Sequence, residues 1–189
     1  MASYEKFKTS IQRHEGGYSE IETDWGNFNS LDELVGTNYG VSARFYELVI
    51  DRPPTKQDML NITQEQAHML FKNEFWDKVL ADYIDSQEVA EMIVDHAINS
   101  SPYRTTKIVQ AVLNKEFGKH LKIDGQFGVK TLAAVNSVAF KQLFIEIGLA
   151  RKVYYEGRPD FNHHGPSWLR RVRLLSKKFN IIIKKKVAC

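Results

Sequence analysis

Ser86-Gln87-Glu88-Val89-Ala90-Glu91-Met92-Ile93-Val94-Asp95-His96-Ala97 is the stretch on which the fold turns. Ser86 is a residue type that starts helices by accepting a hydrogen bond from a first-turn backbone N–H. Behind it Val89, Ala90, Ile93, Val94 and Ala97 recur at spacings of three and four, the period of one helix face. The spacing predicts a helix turned inward at the middle of the chain. Ser100-Ser101-Pro102 then breaks it, because the residue before a proline is pushed away from helical geometry.

Reading outward toward the C-terminus, the helical period returns through Ile108, Val109, Val112 and Leu113. Asp124-Gly125 and Gly128 mark a turn, and helix resumes from Thr131 to Val138. A long helix is expected from about Phe140 to Tyr155, then a Pro/Asn/His/Gly loop from Arg158 to Pro166. A last helix holds Trp168, Leu169, Val172 and Leu175, whose spacing assigns Trp168 to the core. Toward the N-terminus, Thr63 with Gln66 fits a capping box, followed by Ala67, Leu70, Phe71, Phe75 and Val79 on a helix to about Leu80. Arg44–Ile50 reads as a short helix ended by Pro53-Pro54. Tyr4, Phe7, Ile11 and His14 form one stripe of a first helix, and Gly16-Gly17 stops it. Between Tyr18 and Ser42 the period is lost amid Asp, Asn, Gly and Ser, which predicts a long loop or a small β-hairpin. The expected architecture is mainly α, with about eight helices and one minor β element near the N-terminus.

The 189 residues carry a formal charge of +3, but the charge is polarised. Residues 1–100 hold 8 basic and 18 acidic side chains, a net −10, whereas residues 101–189 hold 18 and 5, a net +13. Such asymmetry speaks to partners rather than to fold. With 43% hydrophobic residues the chain has enough apolar material for a core, which excludes a disordered class. The single cysteine, Cys189, excludes a disulfide framework and a cysteine-rich zinc site. No apolar run approaches the roughly 18 residues that span a bilayer. The polar start Met1-Ala2-Ser3-Tyr4-Glu5-Lys6 lacks the apolar region of a signal peptide, so synthesis in the cytoplasm is expected.

His14-Glu15-Gly16-Gly17-Tyr18 carries the most chemistry. Glu15 falls at the last turn of the first helix, where the negative end of the helix dipole disfavours its anion. Apolar neighbours act in the same direction by desolvation. Both raise its pKa, which is what a carboxylic acid needs to donate a proton near neutral pH. Asp24 follows nine residues later in a loop able to fold back across a cleft, and Thr37 lies on the return leg.

A Glu at a helix end with this Asp and downstream Thr resembles phage-type lysozymes. The wider pattern resembles the N-acetylmuramidases of glycoside hydrolase family 108, found in phage endolysins and bacterial secretion-associated muramidases. Their Glu-Gly-Gly-Tyr, Asp, Gly-rich turn and Thr-x-Tyr-Gly-Ile-Thr stand here as Glu15–Tyr18, Asp24, Gly26 and Thr37-Asn38-Tyr39-Gly40-Val41-Ser42. Leu60–Ala67 with Phe75-Trp76 is similar to the family's second block. Asp95-His96-Ala97-Ile98-Asn99 is similar to the Asp-x-Ala-Val-Asn that opens its C-terminal region, catalogued as peptidoglycan-binding. Asp124–Thr131 and Ser167–Arg171 resemble its Asp-Gly-x-x-Gly-x-x-Thr turn and closing Trp-Leu-x-Arg. The blocks keep their order over residues 10–173. Two departures stand out: Asn27–Gly36 lengthens the Asp24–Thr37 spacing, leaving Asn29 and Ser30 as alternatives for the position of Thr37, and Ser100 replaces a glycine.

The resemblance implies a lysozyme-like catalytic region over 1–85 and a helical peptidoglycan-binding region over 86–189, packed into one continuous fold. It implies hydrolysis of the β-1,4 bond between N-acetylmuramic acid and N-acetylglucosamine, with Glu15 as general acid. Asp24 and Thr37 would act on the water or on the positive charge of the sugar. Tyr18, Trp25 and Tyr39 are expected to line sugar subsites, because sugar faces stack on aromatic rings. The biological role implied is phage lysis or wall remodelling, reached through a holin or a secretion system; the alternative is a non-catalytic peptidoglycan-binding module. No metal or other cofactor is expected: His14-Glu15 lacks the second histidine of His-Glu-x-x-His, and His163-His164 read as solvated. Arg170, Arg171, Arg173, Lys177, Lys178 and Lys184-Lys185-Lys186 contain no nucleic-acid reader motif. They are expected to meet an anionic wall or membrane, the latter together with Ile181-Ile182-Ile183. The protein is expected to be a monomer.

Overall fold

The structure, a computed structural model, describes residues 1–12 and 16–184, without the side chains of residues 10–12. His14, at the end of the first-helix stripe, and Lys185, Lys186 and Cys189 lie outside the described residues. The protein is mainly α and lysozyme-like, with a two-stranded antiparallel hairpin near the N-terminus. The helices are α1 (Tyr4–Gln12), α2 (Ala43–Ile50), α3 (Lys56–Leu60), α4 (Gln64–Phe71), α5 (Gln87–Asn99), α6 (Pro102–Phe117), α7 (Val129–Asn136), α8 (Phe140–Glu156) and α9 (Phe161–Lys178). Strands β1 (Thr37–Asn38) and β2 (Val41–Ser42) pair Thr37 with Ser42 and Asn38 with Val41. The chain forms two compact units: Glu5–Lys72, and Met1–Tyr4 with the residues from Asn73 onward. Among the described residues no single helix is long and apolar enough to cross a membrane.

In the Glu5–Lys72 unit, Phe7, Val35, Val41, Ala43, Met59, Ile62, Ala67 and Phe71 are buried. Phe45 of α2 stacks on Phe71 of α4. The short α3 is absent from the sequence reading because five residues show no apolar period. Its ends hold it instead. Thr55 and Asp58 form a reciprocal capping box, and Arg52 donates two bonds to the Asp58 carboxylate at 2.8 and 3.0 Å. The capping box expected at Thr63 and Gln66 is present at the start of α4. The helix expected to reach Leu80 stops at Phe71, giving way to a wide π-type turn, Lys72–Trp76, and a tight 3-10 turn, Asp77–Val79. This irregular path aims the Trp76 indole N–H at Asp82, 2.8 Å away.

The second unit is built around α5, which packs against α6, α8 and α9. Every residue from Val89 to Ala97 is buried, so α5 is a core helix enclosed on all sides rather than an amphipathic one. Enclosure takes Glu91, Asp95 and His96 inside with the apolar residues. The Asp95 carboxylate meets Arg151 of α8 at 2.5 Å and Arg171 of α9 at 2.6 Å. Burial alone would raise the Asp95 carboxyl, but Arg171 and Arg151 outweigh it and hold the group well below the usual carboxylate range. Glu91 accepts from Lys178 at 2.6 and 2.7 Å and from Gln87 at 3.0 Å. His96 Nδ1 lies 2.9 Å from the Thr105 hydroxyl, and its ring meets Tyr154 and Tyr155 edge-on.

The last helix begins at Phe161, inside the segment expected to be a loop. Pro166 removes only one backbone donor there, and Gly165 leaves room for the Phe161 ring, which a Cβ would approach to 2.5 Å. His163 and His164 are exposed on this first part of α9. Ile181 and Ile183 are buried beyond it, Ile183 against Gly148 of α8, while Ile182 is exposed.

Asp95→Asn leaves Arg151 buried without its counter-charge, and the expected loss is about 3–5 kcal/mol of unfolding free energy, measured by urea titration at pH 7. His96 is pushed down to about 3, first by burial and then by Arg151, so the folded chain holds it neutral. Below its ordinary value of 6.5 the unfolded chain takes up a proton that the folded chain refuses, and stability falls as pH falls. His68, held low by burial and Lys8, acts with the same sign. Asp95 contributes no slope until pH drops below the ordinary carboxylate value. Between pH 6 and 4.5, His96→Gln is therefore expected to flatten the stability curve by up to about 1.4 kcal/mol per pH unit relative to wild type.

Candidate active site

The segment after Gly16-Gly17 folds through backbone bonds that converge on Thr37. Ser19 and Thr37 exchange both N–H···O=C bonds at 2.9 Å, closing the loop across eighteen positions of sequence. Asn27 organises the interior. Its N–H donates to the Asp24 carbonyl, its own carbonyl accepts from Val35 and Gly36, and its side-chain amide donates to the Ile21 carbonyl. The Thr37 hydroxyl donates to the Asn27 side-chain oxygen. Asn27 is buried, so these bonds satisfy groups that would otherwise be costly to desolvate.

Asp24 caps the 3-10 turn Trp25–Asn27, one carboxylate oxygen accepting from the Gly26 N–H at 2.9 Å. The group is solvent-exposed. A Cβ at Gly26 would come within 3.1 Å of this oxygen and 3.3 Å of the Ser42 Cβ. The space above Gly26 is therefore bounded by Asp24 and by the Thr37–Ser42 strand pair. Trp25 is 71% exposed beside Asp24, with the Phe28 ring 5.8 Å away. An exposed indole next to an exposed carboxylate suits a sugar ring and its hydroxyls.

Tyr18 is committed differently. Its hydroxyl lies 2.7 Å from Glu20 and 3.0 Å from the Val35 carbonyl, sharing one proton between two acceptors. Its pKa is pushed up to about 12, by burial first and then by Glu20. Lys56, 2.8 Å from Glu20, holds that carboxyl low and sits 5.9 Å from the Tyr18 ring centre. Gly36, at φ +89°, lets the chain pass this ring where a Cβ would stand 2.7 Å from it. Tyr39 occupies the hairpin turn at φ +46°, with Gly40 at +75°, the positive pair that a two-residue hairpin turn requires.

Asn29 is buried and saturated: its amide donates to Glu33 and to the Pro54 carbonyl, and its oxygen accepts from Leu31 and Glu33. The inserted segment Asn27–Gly36 thus folds back on itself, with Phe28 bridged to Leu34. The structure brings Asp24, Trp25 and Thr37 together through Asn27, with Tyr18 and Tyr39 on the flanking turns. Glu15 lies outside the described residues. Asn27 is the residue the sequence reading missed as an organiser. Its signal was available: an Asn directly after Asp-x-Gly is the residue type that bonds to its own turn.

A helical unit with a hairpin and an exposed carboxylate on the loop before it defines the class, a lysozyme-like protein. Residues 8–101 match the glycosyl hydrolase 108 family, and residues 104–163 match the predicted peptidoglycan domain. Between them the two matches cover most of the chain, and the chain belongs to glycosyl hydrolase family 108. It is similar to Brucella abortus SagA, at 26% identity and a TM-score of 0.80, over 96% of each chain. Among curated proteins nothing matches. The chain is accordingly a glycoside hydrolase with peptidoglycan as its partner.

Tyr39 yields a direct test. A ring residue in left-handed backbone is strained by roughly 1 kcal/mol, whereas Asn adopts that region more readily. Tyr39→Asn is expected to raise the melting temperature and to weaken binding of soluble chitooligosaccharide, measured by calorimetry. Lower stability with unchanged binding would show that the ring serves packing alone.

Proposed function

We propose that this protein is an N-acetylmuramidase of the lysozyme type, cutting the β-1,4 bond between N-acetylmuramic acid and N-acetylglucosamine. The observation that carries the reading is the exposed Asp24 carboxylate, held on a loop locked by Asn27 and Thr37, nine residues after Glu15. Glu15 serves as general acid on the leaving oxygen, the role its place in the Glu-Gly-Gly-Tyr motif suggests. Asp24 orients or activates the water at the anomeric carbon, or stabilises the oxocarbenium-like charge there. Thr37, whose proton goes to Asn27, presents its oxygen as an acceptor for that water. Trp25, Tyr18 and Tyr39 form the walls against which sugar faces rest.

Residues 1–85 supply the chemistry in this reading, and residues 86–189 hold the wall. Arg170, Arg173 and Lys177, exposed on α9, attract the anionic envelope. The enzyme, acting as a monomer, is made in the cytoplasm and reaches the wall through a holin or a secretion system, for host lysis or for wall remodelling.

The test is turnover of purified peptidoglycan by wild type and Glu15→Gln. Wild type is expected to release muropeptides with reducing N-acetylmuramic acid ends, identified by mass spectrometry. Glu15→Gln is expected to lose at least about 100-fold in rate while still sedimenting with the wall. Sedimentation without turnover in the wild type would make the protein a binding module, and release of free stem peptides would make it an amidase.

A further inference from the structure

The junction between α5 and α6 opens onto a small depression of about 60 Å³ lined by Asn99, Ser100, Arg104, Tyr154, Tyr155, Arg158 and Trp168. Two of the seven are cations and none is an anion. Arg104 projects from the first turn of α6 and is exposed; among the described residues its guanidinium has no ion-pair or hydrogen-bond partner. Arg158, just past the end of α8, pairs through Nε with the buried Oδ1 of Asp160 at 3.4 Å, and its side chain is partly solvated. The opposite wall is aromatic: Trp168 stacks on Tyr155 with ring centres 5.3 Å apart, and Tyr154 meets Tyr155 edge-on. The back of this wall is rigid, since the Tyr155 hydroxyl accepts from buried Arg151 and both tyrosine rings contact His96. Ser100 completes the rim, its hydroxyl 3.4 Å from that of Thr105.

With Arg158 already facing Asp160, the net charge at the depression is that of Arg104, and this, with the remaining Arg158 nitrogens, a hydroxyl and an amide around a space this small, matches one carboxylate in charge and size. Guanidinium forks bind carboxylates with two parallel bonds, and an aromatic face beside them accepts the apolar or planar group carrying the acid. Arg104, Tyr154, Tyr155 and Arg158 all fall inside residues 104–163, the span matched by the predicted peptidoglycan domain. Trp168, assigned to the core by its spacing, is only partly buried and lines this rim, and the Ser that stands in place of a glycine at position 100 adds a hydroxyl there.

We propose that this depression is a carboxylate-binding subsite through which the second unit grips peptidoglycan, with Arg104 and Arg158 as its charged arms and Trp168 with Tyr154 as its platform. The inference rests on peptidoglycan being the partner, but not on the chain cutting it. Uncut wall offers carboxylates on its stem peptides, and glycan stripped of peptide exposes the lactyl carboxylate of muramic acid. Both present a carboxylate next to an apolar group.

The test is calorimetric titration of the full chain with two probe pairs: a stem tetrapeptide as the free acid or fully amidated, and the peptide-free disaccharide with its lactyl group as acid or amide. At least one acid is expected to bind about tenfold or more tightly than its amide, in line with bonds to charged groups, and the selective pair identifies the source. Arg104→Gln/Arg158→Gln is expected to bind that acid no better than wild type binds the amide. Lys130→Gln, which removes an exposed cation outside the lining, is expected to bind like wild type. Circular dichroism and melting verify the fold, and Arg104→Gln alone, at an exposed side chain, serves if the double variant unfolds. Equal binding of acid and amide in both pairs, no binding at all, or undiminished binding by the variants would overturn the proposal. Acid-selective binding by a chain that releases no reducing ends would overturn the hydrolase reading and leave this one standing.

Discussion

A single buried carboxylate, Asp95, fixes how the second unit is assembled. It sits on a helix enclosed from every side, and it reaches guanidinium groups on two different helices, α8 and α9. Hydrophobic contacts tolerate sliding, because one apolar neighbour substitutes for another; a buried ion pair does not, because any displacement strands a charge. Glu91 repeats the arrangement one turn earlier with Lys178. Two acids on one face of α5 thus set both the rotation of α5 and the register of α9 along it. The aromatic wall at the α5–α6 junction depends on this: Tyr155 is held from behind by Arg151, and its own ring carries Trp168.

The loop of the first unit solves a different problem. A long polar segment that keeps side chains exposed still needs partners for its backbone groups wherever they turn inward. Asn27 answers this by serving several backbone groups and the Thr37 hydroxyl at once. The rigid part of the loop therefore lies beneath Asp24 and Trp25, which are free to face outward. Lys56, Glu20 and Tyr18 make a second brace at the loop's edge, with Gly36 shaped to let the Tyr18 ring lie across the chain.

Much of the fold is legible from apolar spacing. The inward set Val89, Ala90, Ile93, Val94 and Ala97 is buried as read, the Thr63–Gln66 box caps α4, and the aperiodic stretch after Tyr18 does contain a hairpin. What the pattern hides is physical in each case. Glu91, Asp95 and His96 fall outside that apolar set, and their burial is not legible because their partners, Lys178, Arg151, Arg171 and Thr105, are mostly distant in sequence. Helix α3 is too short to show a period and is held by its caps. The start of α9 contains Gly and Pro, which mark a loop unless Gly165 is needed to seat a ring. At the site, the loss of period amid Asp, Asn, Gly and Ser marked the loop, whereas the role of Asn27 depended on carbonyls brought together only by folding.

The span matched by the predicted peptidoglycan domain ends at residue 163, but the charges that complete it do not. Residues 104–163 contain Arg151, whose counter-charge Asp95 lies before the span, and they leave out Trp168, Arg171 and Ile183, which lie after it. Excised at those limits, the segment would carry a bare guanidinium into what had been a core and would lose a ring from its aromatic wall. The matched span is therefore not a portable cassette. The stretch from α5 through Ile183 keeps each of these buried charges with its partner, and the compact unit around it starts earlier still, at Asn73.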